Sequence, residues 1–296
     1  MAEATRKRLR ARFGERVEPW WEGLPEALAD LASRWELRLE EPVGRGNTSL
    51  VVRCRRLDGH AAVLKVTPEA ELARAEARAL RSWSSSGRVP GVWGYDARLG
   101  ALLLEAIPNE TPLSELEVDV PLRDITELIA ALHRSGVPFV GDGIVSLTDR
   151  VEFMFNHWAE RHGRTPAVAR VVPVERVYRA YDLARTMAVH LEAPVLLHGD
   201  LHPGNVLNGG VARGLVAIDP RPCVGDAAFD AVDWVFWPAD DPRTWQSRCS
   251  ELAAALDVQR ERLWDWCRVF AAMLAASTAA RGGGRDRVNA FLALAP

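Results

Sequence analysis

The richest chemistry in this chain lies in one run, L-H-G-D-L-H-P-G-N-V-L-N-G-G-V-A-R-G-L-V-A-I-D, from Leu197 to Asp219. Asp200 is followed five positions later by Asn205 and nineteen positions later by Asp219. An acceptor-only carboxylate, a neutral amide oxygen and a second carboxylate are the parts that phosphoryl transfer needs. One carboxylate orients the attacking hydroxyl, while the amide and the other carboxylate hold Mg²⁺ against ATP. Asp200 is therefore the candidate base, and Asn205 and Asp219 are the candidate metal ligands. The bland alternative for Asp200 is a turn-forming residue. His202 reads as a packing or solvent-facing loop residue.

These groups need a frame. An apolar pair at 206–207, the turn Asn208-Gly209-Gly210 and an apolar run at 215–218 read as a hairpin that returns Asp219 to the loop of Asp200 and Asn205. Upstream, residues 14–34 carry Trp20, Leu24, Leu28 and Leu31 at helical spacing. Strands follow at 49–55 and 62–67, a helix at 69–83, and two short strands at 91–96 and 101–106. From Leu113 the pattern turns helical, with helices at 123–133, 148–162, 176–190, 227–237, 249–256 and 260–281, the last closed by glycines 282–284. The expectation is an α+β chain. Residues 1–106 form a helix and a β-rich lobe, and residues 107–296 form a mainly helical catalytic and substrate-binding lobe.

Of 37 Lys and Arg residues only Lys7 and Lys65 are lysines. Lys65 stands in the apolar run A-A-V-L-K-V, where an ammonium needs an anionic partner; a phosphate would serve. Ahead of it, Gly44-Arg45-Gly46-Asn47-Thr48-Ser49 precedes a strand. Gly44 and Gly46 let backbone N–H groups approach phosphate oxygens, and Thr48 and Ser49 add hydroxyls. A plain hairpin turn is the alternative, and the third glycine of the protein-kinase loop is missing.

On these residues the chain resembles the aminoglycoside phosphotransferases, bacterial antibiotic kinases with a protein-kinase-like two-lobed fold. H-G-D-x-x-x-x-N fits His198 to Asn205. The continuation A-I-D-P-R-P-C-V-G-D-A-A-F-D, from Ala217 to Asp230, is similar to the streptomycin 6-phosphotransferase branch that is grouped with hydroxyurea-type kinases. W-W-E-G-L-P at 20–25 and W-E-L at 35–37 resemble it as well. The resemblance implies that Lys65 contacts the α- and β-phosphates of ATP and pairs with a helix glutamate, Glu76, with Glu71 as the rival. It implies that Glu105 to Ile107 form a hinge whose backbone meets adenine, and that His198 is a scaffold residue rather than a base.

Other residues are less specific. Asp226 opens a helix, where it either caps backbone N–H groups or contacts substrate; Asp230 reads as a buried brace of the motif. Glu105, Glu110, Glu115, Glu117 and Asp119 come without a basic residue among them, and Asp233, Asp240 and Asp241 follow later. Such acids either rim a cleft that attracts a polycation or form a solvated face. Asp233, Trp234 and Trp237 are the substrate-side candidates, although core packing explains the tryptophans equally well.

Composition narrows the class. A net charge of −3, 48% hydrophobic and 26% charged residues fit a globular chain and give no field for nucleic acid. The basic run 6–12 reads as a mobile arm. No run suits a membrane span, no apolar core marks a signal peptide, and four cysteines without C-x-x-C spacing suggest neither zinc nor disulfides. The expectation is a cytoplasmic enzyme, monomer or homodimer, using ATP and Mg²⁺ to phosphorylate a small cationic antibiotic such as streptomycin. Alternatives are another acceptor (a tuberactinomycin peptide, hydroxyurea or an amino sugar) or a non-catalytic pseudokinase. Retention of Lys65, Asp200, Asn205 and Asp219 speaks against the last.

Overall fold

The computed structural model describes residues 2–44, 48–117, 119–238 and 241–296. The chain opens with helices α1 (Ala2–Phe13) and α2 (Val17–Arg34). Leu9 and Phe13, one turn apart, are buried with Val17 against Trp20, Trp21 and Leu72. Arg6 bonds to Glu18, and Arg10 reaches Glu15 at 2.5 Å. The basic run is therefore part of a packed helix. The mobile arm expected there is corrected by two apolar residues at helical spacing, enough to anchor the segment.

A five-stranded antiparallel sheet follows, built from β1 (Leu37–Val43), β2 (Leu50–Arg56), β3 (Ala61–Val66), β4 (Val92–Asp96) and β5 (Ala101–Glu105) in the order β1-β2-β3-β5-β4, with helix α3 (Ala70–Ser82) after β3. Strand alternation sorts its faces. Ala62, Leu64 and Val66 of β3 join Leu50, Val52 and Cys54 of β2 and Leu24 and Leu31 of α2 in one core. Lys65 falls on the opposite face of β3. Its strand partners are Val51 of β2 and Leu102 of β5.

The remaining chain carries α4 (Leu122–Ser135), β6 (Val145–Ser146), α5 (Leu147–Arg164), α6 (Pro166–Ala169), α7 (Val174–Val189), β7 (Val195–Leu197), β8 (Val206–Asn208), β9 (Leu215–Ala217), β10 (Cys223–Gly225), α8 (Val232–Phe236), α9 (Trp245–Leu256), α10 (Arg260–Ala280) and α11 (Arg285–Leu294). β8 and β9 pair as the expected hairpin, while β6, β10 and β7 form a small sheet in that order. Ser146 and Asp149 make a capping box that starts α5. The helix expected at 227–237 is a 3₁₀ segment, Ala227–Ala231, running into α8. Beyond the glycines at 282–284 the chain resumes as α11, whose Phe291 stacks on Trp245 at 4.8 Å.

The chain divides into two compact units. One is Met1–Glu110 together with Leu207–Ile218, and the other is Thr111–Val206 together with Asp219–Pro296. The hairpin thus belongs with the sheet. Ile107, Leu207 and Val216 share one buried cluster, with Ile218 against it. Among the described residues, no helix is long and apolar enough to cross a membrane.

Candidate functional site

In the second unit the chain between β7 and β8 is wired group by group. Asp230, wholly buried at its side chain, accepts from the backbone N–H of His198 at 2.8 Å, the N–H of Gly199 at 2.9 Å and His133 Nε2 at 3.1 Å. Burial works to raise the pKa of Asp230. The hydrogen bond and charge of His133, the charge of His198 and the Gly199 N–H prevail and hold it below the usual aspartate range. The expected bracing role of Asp230 is visible in these contacts.

The His198 carbonyl accepts from the Arg221 N–H at 2.8 Å, which draws the segment after Asp219 onto the loop. Gly199 is needed at this join. Its φ is +73°, and a Cβ there would lie 2.0 Å from the Arg221 carbonyl oxygen. The Gly199 carbonyl accepts from Arg150 Nε at 3.3 Å and Nη2 at 3.0 Å. The neighbouring thiol of Cys223 is pushed up to about 12 by burial and reads as packing.

Asp200 and Asn205 meet directly. Asn205 Nδ2 donates to the Asp200 carbonyl at 2.9 Å and to its carboxylate Oδ2 at 3.3 Å. A carbonyl oxygen accepts only from a donor, so these contacts assign the NH₂ end inward and leave the amide oxygen as the atom for a ligand. That orientation suits a hard cation. Asp219 has φ +54° and carries its Oδ1 4.0 Å from Arg221 Nη2. Among the described residues, no group of three or more His, Cys, Asp or Glu side chains could hold a metal alone. Mg²⁺ needs no such cage: one carboxylate and a neutral oxygen, completed by phosphates and water, are a common set.

Around this loop the sequence reading needs two corrections and one addition. Asp226 Oδ1 accepts from the Ala228 N–H at 3.0 Å, and its Oδ2 accepts from Arg262 Nε at 2.5 Å and Trp266 Nε1 at 2.7 Å. Its carboxylate is committed to capping and to α10, not presented to a substrate. Trp234 is fully buried and meets Trp237 edge-on at 5.6 Å. It is a core residue because α8 turns that face inward, while Trp237 stays half-buried. Asp233 is half-buried too. Burial, opposed by His202 and reinforced by Asp200 and Asp230, pushes its carboxyl up to about 6.

Arg150 is the addition. Its side chain is 12% exposed, with Nη2 3.8 Å from Asp200 Oδ1. No local signal marks it, because it reaches Gly199 across 49 residues.

In the first unit Lys65 Nζ and Glu76 Oε2 are 2.5 Å apart, with both side chains nearly sealed. Glu71, the rival, bonds to Arg74 at 3.3 Å on the surface. Gly44 is exposed, Gly46 lies outside the described residues, and Ser49 is 1% exposed. Ser49 is thus packed, not presented as a donor, because it leads directly into the buried register of β2. Ile107 joins the hairpin cluster.

Glu105 is held through its side chain, which bonds to Arg213 Nη1 at 2.6 Å and to the Gly91 N–H at 3.0 Å. Glu110 pairs with Arg53 at 2.5 Å. Two of the five acids read as a cleft rim are therefore already neutralised by arginines. Asp241 caps its own 3₁₀ turn, and Asp240 lies outside the described residues.

An antiparallel sheet with a buried Lys–Glu pair, then a loop–hairpin carrying Asp, Asn and Asp, defines the protein-kinase-like class. Solved structures agree. An aminoglycoside phosphotransferase, APH(4)-Ia, as a thermostable mutant in ternary complex with ADP and hygromycin B, superposes with TM-score 0.62 at 16% identity over 90% of this chain and 96% of that one. Residues 34–283 match the family described as aminoglycoside/hydroxyurea antibiotic resistance kinase, and the chain belongs to it. A streptomycin 6-kinase from Streptomyces glaucescens is 32% identical over 84% of this chain and 75% of its own length. A hydroxyurea phosphotransferase from Kitasatospora aureofaciens is 31% identical over 84% and 72%.

Proposed function

We propose that this protein transfers the γ-phosphoryl group of ATP to a hydroxyl of a streptomycin-like aminoglycoside, and so confers resistance to it. The observation that carries the reading is the Asp200–Asn205 contact beside the braced His198–Gly199 backbone. It fixes a carboxylate for the hydroxyl beside an amide oxygen suited to a cation. Bound Mg²⁺ would supply charge neutralisation for the phosphates, with Asn205 and Asp219 as its protein ligands. Lys65, steadied by Glu76, binds the phosphates. The backbone near Glu105 and Ile107 receives adenine, and Gly44 lies in the loop that covers the nucleotide.

The residues proposed for the nucleotide lie in the N-terminal lobe, within 1–110. Asp200 accepts hydrogen-bond character from the acceptor hydroxyl and aligns it. Asp233 and Trp237 serve the substrate side, where a raised carboxyl would ionise on meeting a cation. A cytoplasmic location belongs to this reading, supported by the use of ATP it assumes and by the four buried free cysteines.

The hydroxyurea relative favours a second reading, the same chemistry on a smaller acceptor. The test is ATP consumption by the purified protein with Mg²⁺ over streptomycin, other aminoglycosides, a tuberactinomycin peptide, hydroxyurea and glucosamine, with Asp200→Ala as control. Turnover of streptomycin that the variant loses supports the proposal. Turnover of hydroxyurea alone replaces it with the second reading, and nucleotide binding without turnover on any acceptor refutes both.

A further inference from the structure

We infer that Arg150 is a positioning residue for the reaction: from α5 its guanidinium fixes the Gly199 carbonyl and, through that peptide, the bearing of the Asp200 carboxylate. The inference rests on the reading of Asp200 as the group that aligns the acceptor hydroxyl.

Four backbone polar groups belong to His198 and Gly199, and each has a partner. Asp230 takes both N–H groups, and the Arg221 N–H takes the His198 carbonyl. These three contacts come from the segment that follows the hairpin. The fourth comes from elsewhere, with Arg150 donating through Nε and Nη2 to the Gly199 carbonyl at 3.3 and 3.0 Å.

Gly199 cannot steady itself. At φ +73°, with the Arg221 carbonyl filling the space of a Cβ, it carries no side chain that could pack. The carbonyl that Arg150 grips belongs to the peptide joining Gly199 to Asp200. Loss of the grip frees rotation about the Gly199 Cα–C bond, and that rotation swings the Asp200 carboxylate. The same guanidinium stands 3.8 Å from Asp200 Oδ1, so it constrains the carboxylate from its own side as well.

The placement is unfavourable unless it is compensated. An arginine left on an outer face of α5 would keep its hydration, whereas this one is largely enclosed, and burial depresses its pKa against the attraction of Asp200. The compensating contacts are with the catalytic loop. Lysine is no substitute, because a single ammonium cannot fork onto the carbonyl and also flank the carboxylate.

The experiment compares wild type, Arg150→Met and Arg150→Lys in three readouts: nucleotide affinity by direct titration, kcat and KM for the acceptor, and hydrogen exchange of the peptide covering 197–206. We expect kcat to fall about 10–100-fold in Arg150→Met, the range for a reacting group misplaced by about an ångström. Nucleotide affinity should change less than about twofold, exchange should quicken in 197–206 alone, and Arg150→Lys should recover only part of the loss. A merely structural residue would instead lower the melting temperature and quicken exchange across α5, with kcat kept in the molecules that remain folded. That result overturns the inference, as does an Arg150→Met enzyme with wild-type kcat. If wild type turns over no acceptor, the proposed reaction fails by itself. Exchange in 197–206 then still decides whether Arg150 holds the loop.

Discussion

Replacing Asp230 with asparagine asks how much the loop between β7 and β8 depends on one buried charge. The carboxylate has three donors to satisfy: the His198 and Gly199 N–H groups and His133 Nε2. An amide of the same shape keeps one accepting oxygen and turns an NH₂ toward the others. If the oxygen stays on Gly199, the NH₂ faces the His198 N–H, and a buried backbone donor loses its acceptor. His133 can adapt by shifting its proton to Nδ1; the backbone cannot.

An orphaned buried donor costs about 1–3 kcal/mol, and a hydrogen bond to an ion loses roughly half its worth when the ion is neutralised. The sum is roughly 2–4 kcal/mol, or about 4–16 °C in Tm for a unit of this size. The pH dependence has a definite sign. Asp230 is held below its unfolded pKa of about 3.9, so its contribution is fully present above that value and is lost as pH falls through the folded pKa. Scanning fluorimetry of both proteins from about pH 3 to 8 should show a constant gap above about pH 5 that narrows in acid. A variant that melts with wild type at neutral pH would refute the reasoning, as would a gap that persists unchanged at the acid end.

Three further perturbations have equally definite outcomes. Asp233 is raised to about 6 from an unfolded value of about 3.9, so its penalty to folding builds as pH rises above about 4 and is complete above about 6; Asp233→Asn should stabilise the protein at pH 7 by up to about 3 kcal/mol while raising acceptor KM, read by melting and steady-state kinetics. Glu76→Gln leaves the Lys65 ammonium enclosed beside a neutral amide and should cost about 3–5 kcal/mol together with nucleotide affinity, measured by chemical denaturation and by titration with ATP. Gly199→Ala forces a Cβ against the Arg221 carbonyl at a positive φ. Turnover should fall at least about 100-fold with the nucleotide still bound, since the loop proposed to align the acceptor has to shift. An alanine variant that retains wild-type kcat would show that the loop tolerates what the geometry forbids.

How far the sequence could be read depends on whether a signal is local. The hairpin was legible because Asn208-Gly209-Gly210 separates two apolar runs, and Lys65 because an ammonium in an apolar strand demands a partner. The resemblance called for a helix glutamate, and the middle of the 69–83 helix pointed to Glu76 over Glu71. Arg150 and His133 were not legible, since each acts on the loop through tertiary contacts with no spacing to mark them. β1 hid behind Glu40-Glu41-Pro42, where its register shifts against β2. α1 carries too few apolar residues for periodicity to show, and Trp234 could not be sorted from Trp237 until α8 fixed their faces. The family resemblance supplied the fold; it said nothing of Asp226 being consumed by Arg262 and Trp266.

The borrowed hairpin also sets an order of events during synthesis. When Glu110 has been made, the first unit still lacks Leu207–Ile218. Ile107 then has neither Leu207 nor Val216 to pack on, and Glu105 has no Arg213. At a translation rate of about 5–20 residues per second, the delay until the hairpin is made is roughly 5–20 s. For that time Ile107 stands without its buried partners, which leaves the earliest-made part of the chain in need of protection. The same dependence means that a fragment cut after Glu110 would be an unfinished unit, whereas one fused to residues 207–218 has its missing piece.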